Sequence, residues 1–302
     1  MTTSLDPAPG SPPEGEGEDG TNALRDFAQR PVRLRVATYN IHKGVTAFGR
    51  RSRLAELRMA LHRIDADVIF LQEVQDRNER LARRLEISPH ASQLDVLSSS
   101  GYEHRAYGIN AVYPNGHHGN AILSRLPIEH FANHDISDHA LENRGMLHAL
   151  VHLPGGIAVH LICAHFGLVK GSRMRQAEWV ARFVEREIPA DALLIIAGDF
   201  NDWQRGVDAQ LRERLGVQDV FDEVAPVALV DRLLGWRKKV RVARTFPSLV
   251  PWLTLDRIYL RGFRALDAHV PRGRSWARCS DHAPLIADLE MQWAPPAQSP
   301  GA

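Results

Sequence analysis

Leu193 to Ala197 is a continuous apolar run that stops at Gly198 and gives way at once to Asp199, Phe200, Asn201 and Asp202. A run this short and this uniformly apolar fits a strand covered on both faces, which demands a layer on either side of its sheet. Its abrupt polar end fits delivery of side chains to the rim of that sheet, where ligands bind. Asp199 and Asn201 are two residues apart, so an extended backbone points them the same way. One can accept a proton or hold a hard cation, and the other can orient a water or a phosphate oxygen. Taken alone, an Asp-x-Asn after a strand is also an ordinary turn.

The same device recurs along the chain. Val32 to Asn40 alternates as a strand and exits through Asn40, Ile41, His42, Lys43 and Gly44. Leu54, Leu57, Leu61 and Ile64 have helical spacing. Val68 to Leu71 reads as a second buried strand and ends at Gln72-Glu73, after which a polar, mostly helical stretch continues to about Ser100. Tyr102 to Tyr107 reads as a strand, Asn110 to Asn120 as a loop carrying His117 and His118, and Ala121 to Ser124 as a strand again. Met146 to Leu153, the turn Pro154-Gly155-Gly156 and Ile157 to His165 predict a hairpin, followed by a helix from Ser172 to Glu187. A helix over Asp208 to Leu215, the run Leu255 to Leu260 with Asp256 in it, and Ser280-Asp281-His282 before a last strand complete the pattern. Strands outnumber helices and several pair as hairpins, which predicts two mixed sheets face to face with helices outside.

The bounds set by composition are broad. Of 302 residues, 44% are hydrophobic and 24% charged, as expected of a globular protein with a core, and the net charge of +1 points to no class of partner. Two cysteines exclude a disulfide framework; Cys163 lies in an apolar run and reads as a small core residue, which suggests a reducing compartment. Residues 1–30, rich in Pro, Gly, Glu and Asp, read as a disordered tail without the basic and apolar parts of a signal peptide, and 294–302 as a second tail. No stretch has the apolar length of a membrane span. The expectation is one folded domain over 31–293 in the cytoplasm.

Strand ends thus deliver Asn40, Glu73, His165, Asp199 with Asn201, Asp256, and Asp281 with His282. Each alone has a plain structural explanation, as a solvated carboxylate, a satisfied histidine or a cap. Together they meet the needs of phosphate-ester hydrolysis: an activated water, cations on the developing charge and a proton for the leaving group. Thr38-Tyr39-Asn40, Leu71-Gln72-Glu73-Val74, Gly198-Asp199-Phe200-Asn201, Leu255-Asp256-Arg257-Ile258 and Ser280-Asp281-His282-Ala283-Pro284 resemble, in order, the signature blocks of the endonuclease/exonuclease/phosphatase (DNase I-like) superfamily. The connecting text resembles a bacterial branch often encoded beside a cardiolipin synthase.

The resemblance implies a four-layer α-β-β-α sandwich of two mixed sheets, with the site at one rim. It implies that Glu73 binds Mg²⁺ (Mn²⁺ being the second candidate) together with Asn40, and that Asp281 is a further carboxylate near the metal. Asp199, helped by Asn201, would orient or deprotonate the attacking water, His282 would contact a phosphate oxygen or move a proton, and Asp256 would orient His282. His165 matches the general acid of the nuclease and sphingomyelinase branches; Glu103 is the candidate carboxylate partner for it. Arg144 matches a phosphate-gripping position, and His118 and Asn120 line the same rim. His42 stands where abasic-site endonucleases carry an acid, and their catalytic tyrosine motif is not evident, so the likeness favours the two-histidine branches.

The substrate stays open between classes. Arg232, Arg237, Lys238, Lys239, Arg241 and Arg244, interleaved with Leu233, Leu234 and Trp236, together with Arg272, Arg274 and Arg278, fit three readings. They are a solvated face, a groove for nucleic acid, or a patch for an anionic membrane, which would make the protein peripheral at the inner membrane surface. The expected activity is therefore a Mg²⁺-dependent phosphodiesterase acting on a phospholipid or related headgroup. A DNase I-like nuclease and a catalytically inactive binding protein are the alternatives.

Overall fold

The computed structural model describes residues 31–45, 52–79, 92–224 and 243–292. From Arg33 onward the chain forms one unit. The two expected tails and all of the basic segment 232–244 except Ala243 and Arg244 lie outside the described residues.

Six strands form each of two sheets. The first contains β1 (Arg33–Asn40), β2 (Val68–Asn78), β3 (His104–Tyr113), β4 (Gly116–Ser124), β11 (Phe263–His269) and β12 (Leu285–Met291), in the order β11-β12-β1-β2-β4-β3. The second contains β5 (Ile128–Asp135), β6 (Gly145–Leu153), β7 (Ile157–His165), β8 (Leu193–Asp199), β9 (Gln218–Asp219) and β10 (Asp256–Arg261), in the order β5-β6-β7-β8-β10-β9. One parallel pair sits inside each sheet, β1 with β2 and β7 with β8, and the other described pairings are antiparallel.

Strand alternation sets the layers. On one face of the first sheet Ala37, Tyr39, Ile69 and Leu71 pack against Leu57, Leu61 and Ile64 of α1 (Leu54–Ile64) and Leu94 and Leu97 of α2 (Gln93–Ser98). On one face of the second, Ile162, Ala164, Leu194 and Ile196 pack against Ala177, Val180, Ala181 and Val184 of α3 (Lys170–Glu187). The alternate residues, among them Val36, Phe70, Leu161 and Ile195, are fully buried between the sheets. Full burial of each such side chain is worth about 1.5–3 kcal/mol. Gln72 Nε2 bridges this middle layer, donating to Thr38 Oγ1 at 3.1 Å on its own sheet and to Cys163 Sγ at 3.2 Å on the other. The result is the expected α-β-β-α sandwich. Three shorter helices, α4 (Gly206–Leu215), α5 (Val220–Glu223) and α6 (Arg274–Ala277), lie in the connections.

The sequence expectations and the fold part company in several places. β2 runs on to Asn78 through two register shifts, and β3 and β4 extend into a long hairpin, so His118 and Asn120 belong to a strand and not a loop. The helical reading up to Ser100 holds only for α2, residues 80–91 being outside the description. β5 has no counterpart among the expected strands because it is an exposed edge strand, polar on both sides, with no period of two to read. On the helix-covered face of the second sheet, His148 Nε2 lies 3.0 Å from His160 Nδ1, and Phe183 of α3 packs edge-on against His148.

Candidate active site

Alternation carries three inter-sheet positions past the end of the apolar core. Thr38 is followed two residues on by Asn40, Cys163 by His165, and Ala197 by Asp199. Where the middle layer runs out of apolar side chains it therefore ends in an amide, an imidazole and a carboxylate, all at least 95% buried. Register aligns the rest: His165 and Asp256 both sit opposite Asp199, on the parallel and antiparallel neighbours of β8. Gly198 permits this spacing. A Cβ there would meet Ala164 O at 1.9 Å, and its φ is +154°.

Glu73 arrives by a different route. Regular alternation would turn it with Leu71 towards the helices, but it takes φ +56° where the β2–β4 register shifts. That bulge brings its carboxylate within 3.5 Å of Asn40 Nδ2. Of the six described non-glycine residues at positive φ, five lie on this rim: His42, Lys43, Glu73, Asn201 and Arg205. Such conformations cost about 1–3 kcal/mol each and concentrate where a site holds its groups in place.

Asp199 Oδ2 is the hub. It accepts from Asn40 Nδ2 at 3.0 Å, and His165 Nε2 and His282 Nε2 each stand 3.7 Å from it. These two gaps are too long for hydrogen bonds, so an oxygen placed against all three groups would bridge them. Asp199 Oδ1 accepts from Asn201 N at 3.0 Å, while Asn201 Nδ2 donates to Phe166 O at 3.0 Å and ties the exits of β7 and β8 together. On the far side of His282, Nδ1 is 2.8 Å from Asp256 Oδ2, which fixes the ring and its tautomer. Ser280, for which the sequence suggests no role of its own, staples this segment to β1. Its Oγ donates to Asn40 O at 2.7 Å and accepts from His282 N at 3.2 Å.

The electrostatics divide the two histidines. Burial opposes charge on His282, but Asp256 and Asp199 outweigh it and its pKa is raised. Burial raises the Asp199 carboxyl, with His282 working against the shift and Asp256 with it. His165 is held well below its ordinary value by burial, then by Arg144, His282, His118 and Lys43, and the approach of Asp199 does not offset this. His118 is lowered to about 4 by burial and then by Lys43, with Glu73 opposing. Its Nδ1 lies 2.8 Å from Tyr113 Oη, a hairpin-tip residue that no sequence pattern singles out.

The expected residues fall into two groups. Asn40, His165, Asn201, Asp256 and His282 come together around Asp199: Asn40 and Asn201 by hydrogen bonds to it, His282 and Asp256 by a hydrogen bond to each other, and His165 at 3.7 Å without one. Asp281 is more exposed and turns to His42, Oδ2 to Nδ1 at 3.4 Å, instead of joining Glu73. Arg144 projects its field onto His165 and His118, pairs with no described carboxylate, and has a buried Nε without a partner. Asn120 Nδ2 is spent on Gly145 O at 2.8 Å, leaving its buried Oδ1 unpartnered. Glu103 is a correction: it lies just before β3, at the opposite end of the sheet, and the carboxylate nearest His165 is Asp199.

For a metal, the compact group of described donors is Asp199, Asp256 and His282, within 4.8 Å of one another, but His282 Nδ1 and Asp256 Oδ2 are already engaged with each other. Glu73 is only partly buried and its one described side-chain contact is the long one to Asn40. Asn40 Oδ1 accepts from His42 N at 3.1 Å and keeps a second lone pair. A carboxylate beside an amide oxygen, open to water, fits a hard divalent cation that keeps part of its hydration.

Residues 37–282 match the model of the Endonuclease/Exonuclease/phosphatase family. The chain belongs to that family. Across 259 residues, 85% of this chain and 96% of the relative, it is 40% identical to YbhP, an uncharacterized protein of Escherichia coli (strain K12). Its fold is similar to that of an endonuclease/exonuclease/phosphatase from Beutenbergia cavernae DSM 12333, with a TM-score of 0.68 at 20% identity over 89% of this chain and 74% of the other. A second, from Bacteroides vulgatus, has a TM-score of 0.65 at 17% identity over 86% of this chain and 99% of that one. The family includes nucleases and phosphatases, which are hydrolases of phosphoester bonds. No described helix is long and apolar enough to cross a membrane.

Proposed function

We propose that this chain is a divalent-cation-dependent phosphodiesterase, acting first of all on a phospholipid or related headgroup, by in-line attack of water. The observation that carries the reading is the convergence on Asp199 Oδ2 of Asn40 at 3.0 Å and of two imidazoles at 3.7 Å. In this reading Asp199, braced by Asn40 and Asn201, orients and deprotonates the water. His282, fixed by Asp256, faces the phosphate oxygens with its Nε2, and His165 lies on the other side of the same oxygen position for the leaving group. Arg144 supplies an unpaired guanidinium for the phosphate. Glu73 and Asn40 would hold Mg²⁺ or Mn²⁺, with Asp281 near them, and the bound ion would neutralise charge developing on the phosphate.

A catalytically inactive scaffold is disfavoured because each position the chemistry needs holds a competent residue. The test is purified protein with Mg²⁺ against bis-p-nitrophenyl phosphate, anionic liposomes and plasmid DNA. Hydrolysis of the soluble diester and of lipid, lost in Asp199→Ala and His282→Ala, is expected. Plasmid nicking lost in the same variants would transfer the activity to nucleic acid. Turnover of nothing, with Mg²⁺ verified as bound, would sink the enzyme.

A further inference from the structure

The exposed apolar side chains of this protein are not scattered. Of thirteen large hydrophobics exposed among the described residues, all but Met59, Phe131 and Leu266 sit on or beside the loops that surround the catalytic rim. They are divided among separate connections: the β3–β4 hairpin tip, the 136–144 loop, the exits of β7 and β8, and the segment before β10. Solitary exposed hydrophobics are ordinary, but their concentration at one end marks an interaction surface.

Two patches flank the catalytic residues and are tied to them. Leu168 (65% exposed) and Val169 (61%) directly follow the His165 strand end, and Trp203 (47%) follows Asn201. Arg173 joins these two exits, donating from Nη1 to Leu168 O at 2.5 Å and lying over the Trp203 ring at 4.6 Å. Leu249, Val250 and Trp252, each at least 64% exposed, sit on a tight loop closed by a bridge between Phe246 and Leu253. That loop is pinned beside the catalytic histidine, because Ser248 N donates to Asp281 O at 2.7 Å and the Phe246 ring packs on His282.

Several cations of the same rim are left without carboxylate partners. Many exposed arginines of this chain find carboxylates, as Arg35 does with Asp288, Arg182 with Glu178 and, on the rim itself, Arg175 with Asp138, while Arg58 and Arg63 of α1 make no ion pair with a described residue. Arg144, Lys170, Arg244, Arg272 and Arg274 on the rim loops make no ion pair with any described residue. Apolar tips with tryptophans at their edges, set among unpaired cations and spread over several loops, suit a planar surface that is apolar beneath and anionic on top. A peptide partner would need a groove or a free strand edge, and a nucleic acid would leave the aliphatic tips in water.

We infer that this rim docks on an anionic lipid bilayer, with the Leu168–Val169, Trp203 and Leu249–Trp252 loops inserted at the headgroup level and the catalytic mouth facing the membrane. The inference rests on the phosphodiesterase reading only for its substrate, since docking itself needs no turnover. It also moves the membrane contact expected of the 232–244 segment onto described residues.

The experiment is vesicle flotation of the full chain with phosphatidylglycerol/phosphatidylcholine and with pure phosphatidylcholine vesicles, beside hydrolysis of soluble bis-p-nitrophenyl phosphate. The wild type floats with the anionic vesicles, and Trp203→Ser/Trp252→Ser and, separately, Leu168→Ser/Val169→Ser lower that binding by roughly tenfold or more. Both variants keep hydrolysis of the soluble diester. Circular dichroism and an unchanged melting midpoint show that they are folded. A wild type that hydrolyses the diester but does not float overturns the docking and leaves the activity standing. Flotation without any hydrolysis does the reverse. Flotation unaffected by both variants, or preferential retention on DNA, also overturns the inference.

Discussion

His282 Nδ1 and Asp256 Oδ2 are 2.8 Å apart, and Asp256 is completely buried. The carboxylate has no solvent to share its charge with, so its field is spent on the imidazole. The other oxygen, Oδ1, has no hydrogen-bond partner among the described residues. Asp256→Asn would replace the acceptor facing Nδ1 and release the ring's tautomer. Turnover of bis-p-nitrophenyl phosphate is expected to fall on the order of 10²- to 10⁴-fold. The diester's KM should change little, and a steady-state comparison of kcat and KM checks both.

Glu73 can be tested without any activity assay. Its side chain makes one long contact and its backbone holds a left-handed conformation that delivers it to the rim. Glu73→Gln keeps shape and removes charge. Titration calorimetry is expected to show Mg²⁺ binding in the wild type, weakened by roughly tenfold or more in the variant because hard cations depend on carboxylate charge. Chelation should abolish hydrolysis in the wild type, and added Mn²⁺ or Mg²⁺ should restore it.

The His148–His160 pair gives acid sensitivity away from the site. Burial, then His160, pushes His148 from 6.5 down to about 4. The unfolded chain therefore binds a proton that the folded one refuses. Stability from this group is complete above about 6.5 and is lost as pH falls from there towards about 4, by at most about 1.4 kcal/mol per pH unit. Urea midpoints measured at pH 7.5 and pH 5 should differ less in His148→Leu than in the wild type.

Gly198 is expected to be intolerant of a single methyl group. A Cβ 1.9 Å from Ala164 O cannot be absorbed by a side-chain rotation, since the obstacle is backbone. Gly198→Ala should cost about 1–3 kcal/mol in stability and lower the melting midpoint. It should also reduce turnover, because the strands it pushes apart carry Asp199 and His165.

Much of this site is legible in the amino-acid order alone. Asn40, Asp199, His165, Asp256 and His282 lie at the ends of apolar strand runs, so period and ending are both visible in one dimension. Where the chain leaves its period is not. Glu73 belongs to a recognisable block, but nothing in Leu71-Gln72-Glu73-Val74 announces a bulge, which comes from how β2 meets β4. Tyr113 reaches His118 only because β3 and β4 extend beyond the sheet, and Asp281 turns to His42 because Ser280 fixes the segment between them. Glu103 is misplaced for a plain reason: proximity to a strand says nothing about which end of it the side chain occupies. The layers follow from composition and alternation, while the edge strand β5 does not, because an exposed edge has no inside to alternate with.

β12 lies between β11 and β1, and of these two partners β1 stands at the opposite end of the described chain. The segment carrying His282 leads directly into β12, and Ser280 fastens it to Asn40 O. During synthesis, then, Asn40 is made long before the His282 segment that completes its rim. A nascent chain lacking its last strand exposes the long edge of β1 and holds Asn40 beside an empty place. Completion of the sheet and completion of the rim around Asn40 are thus a single event.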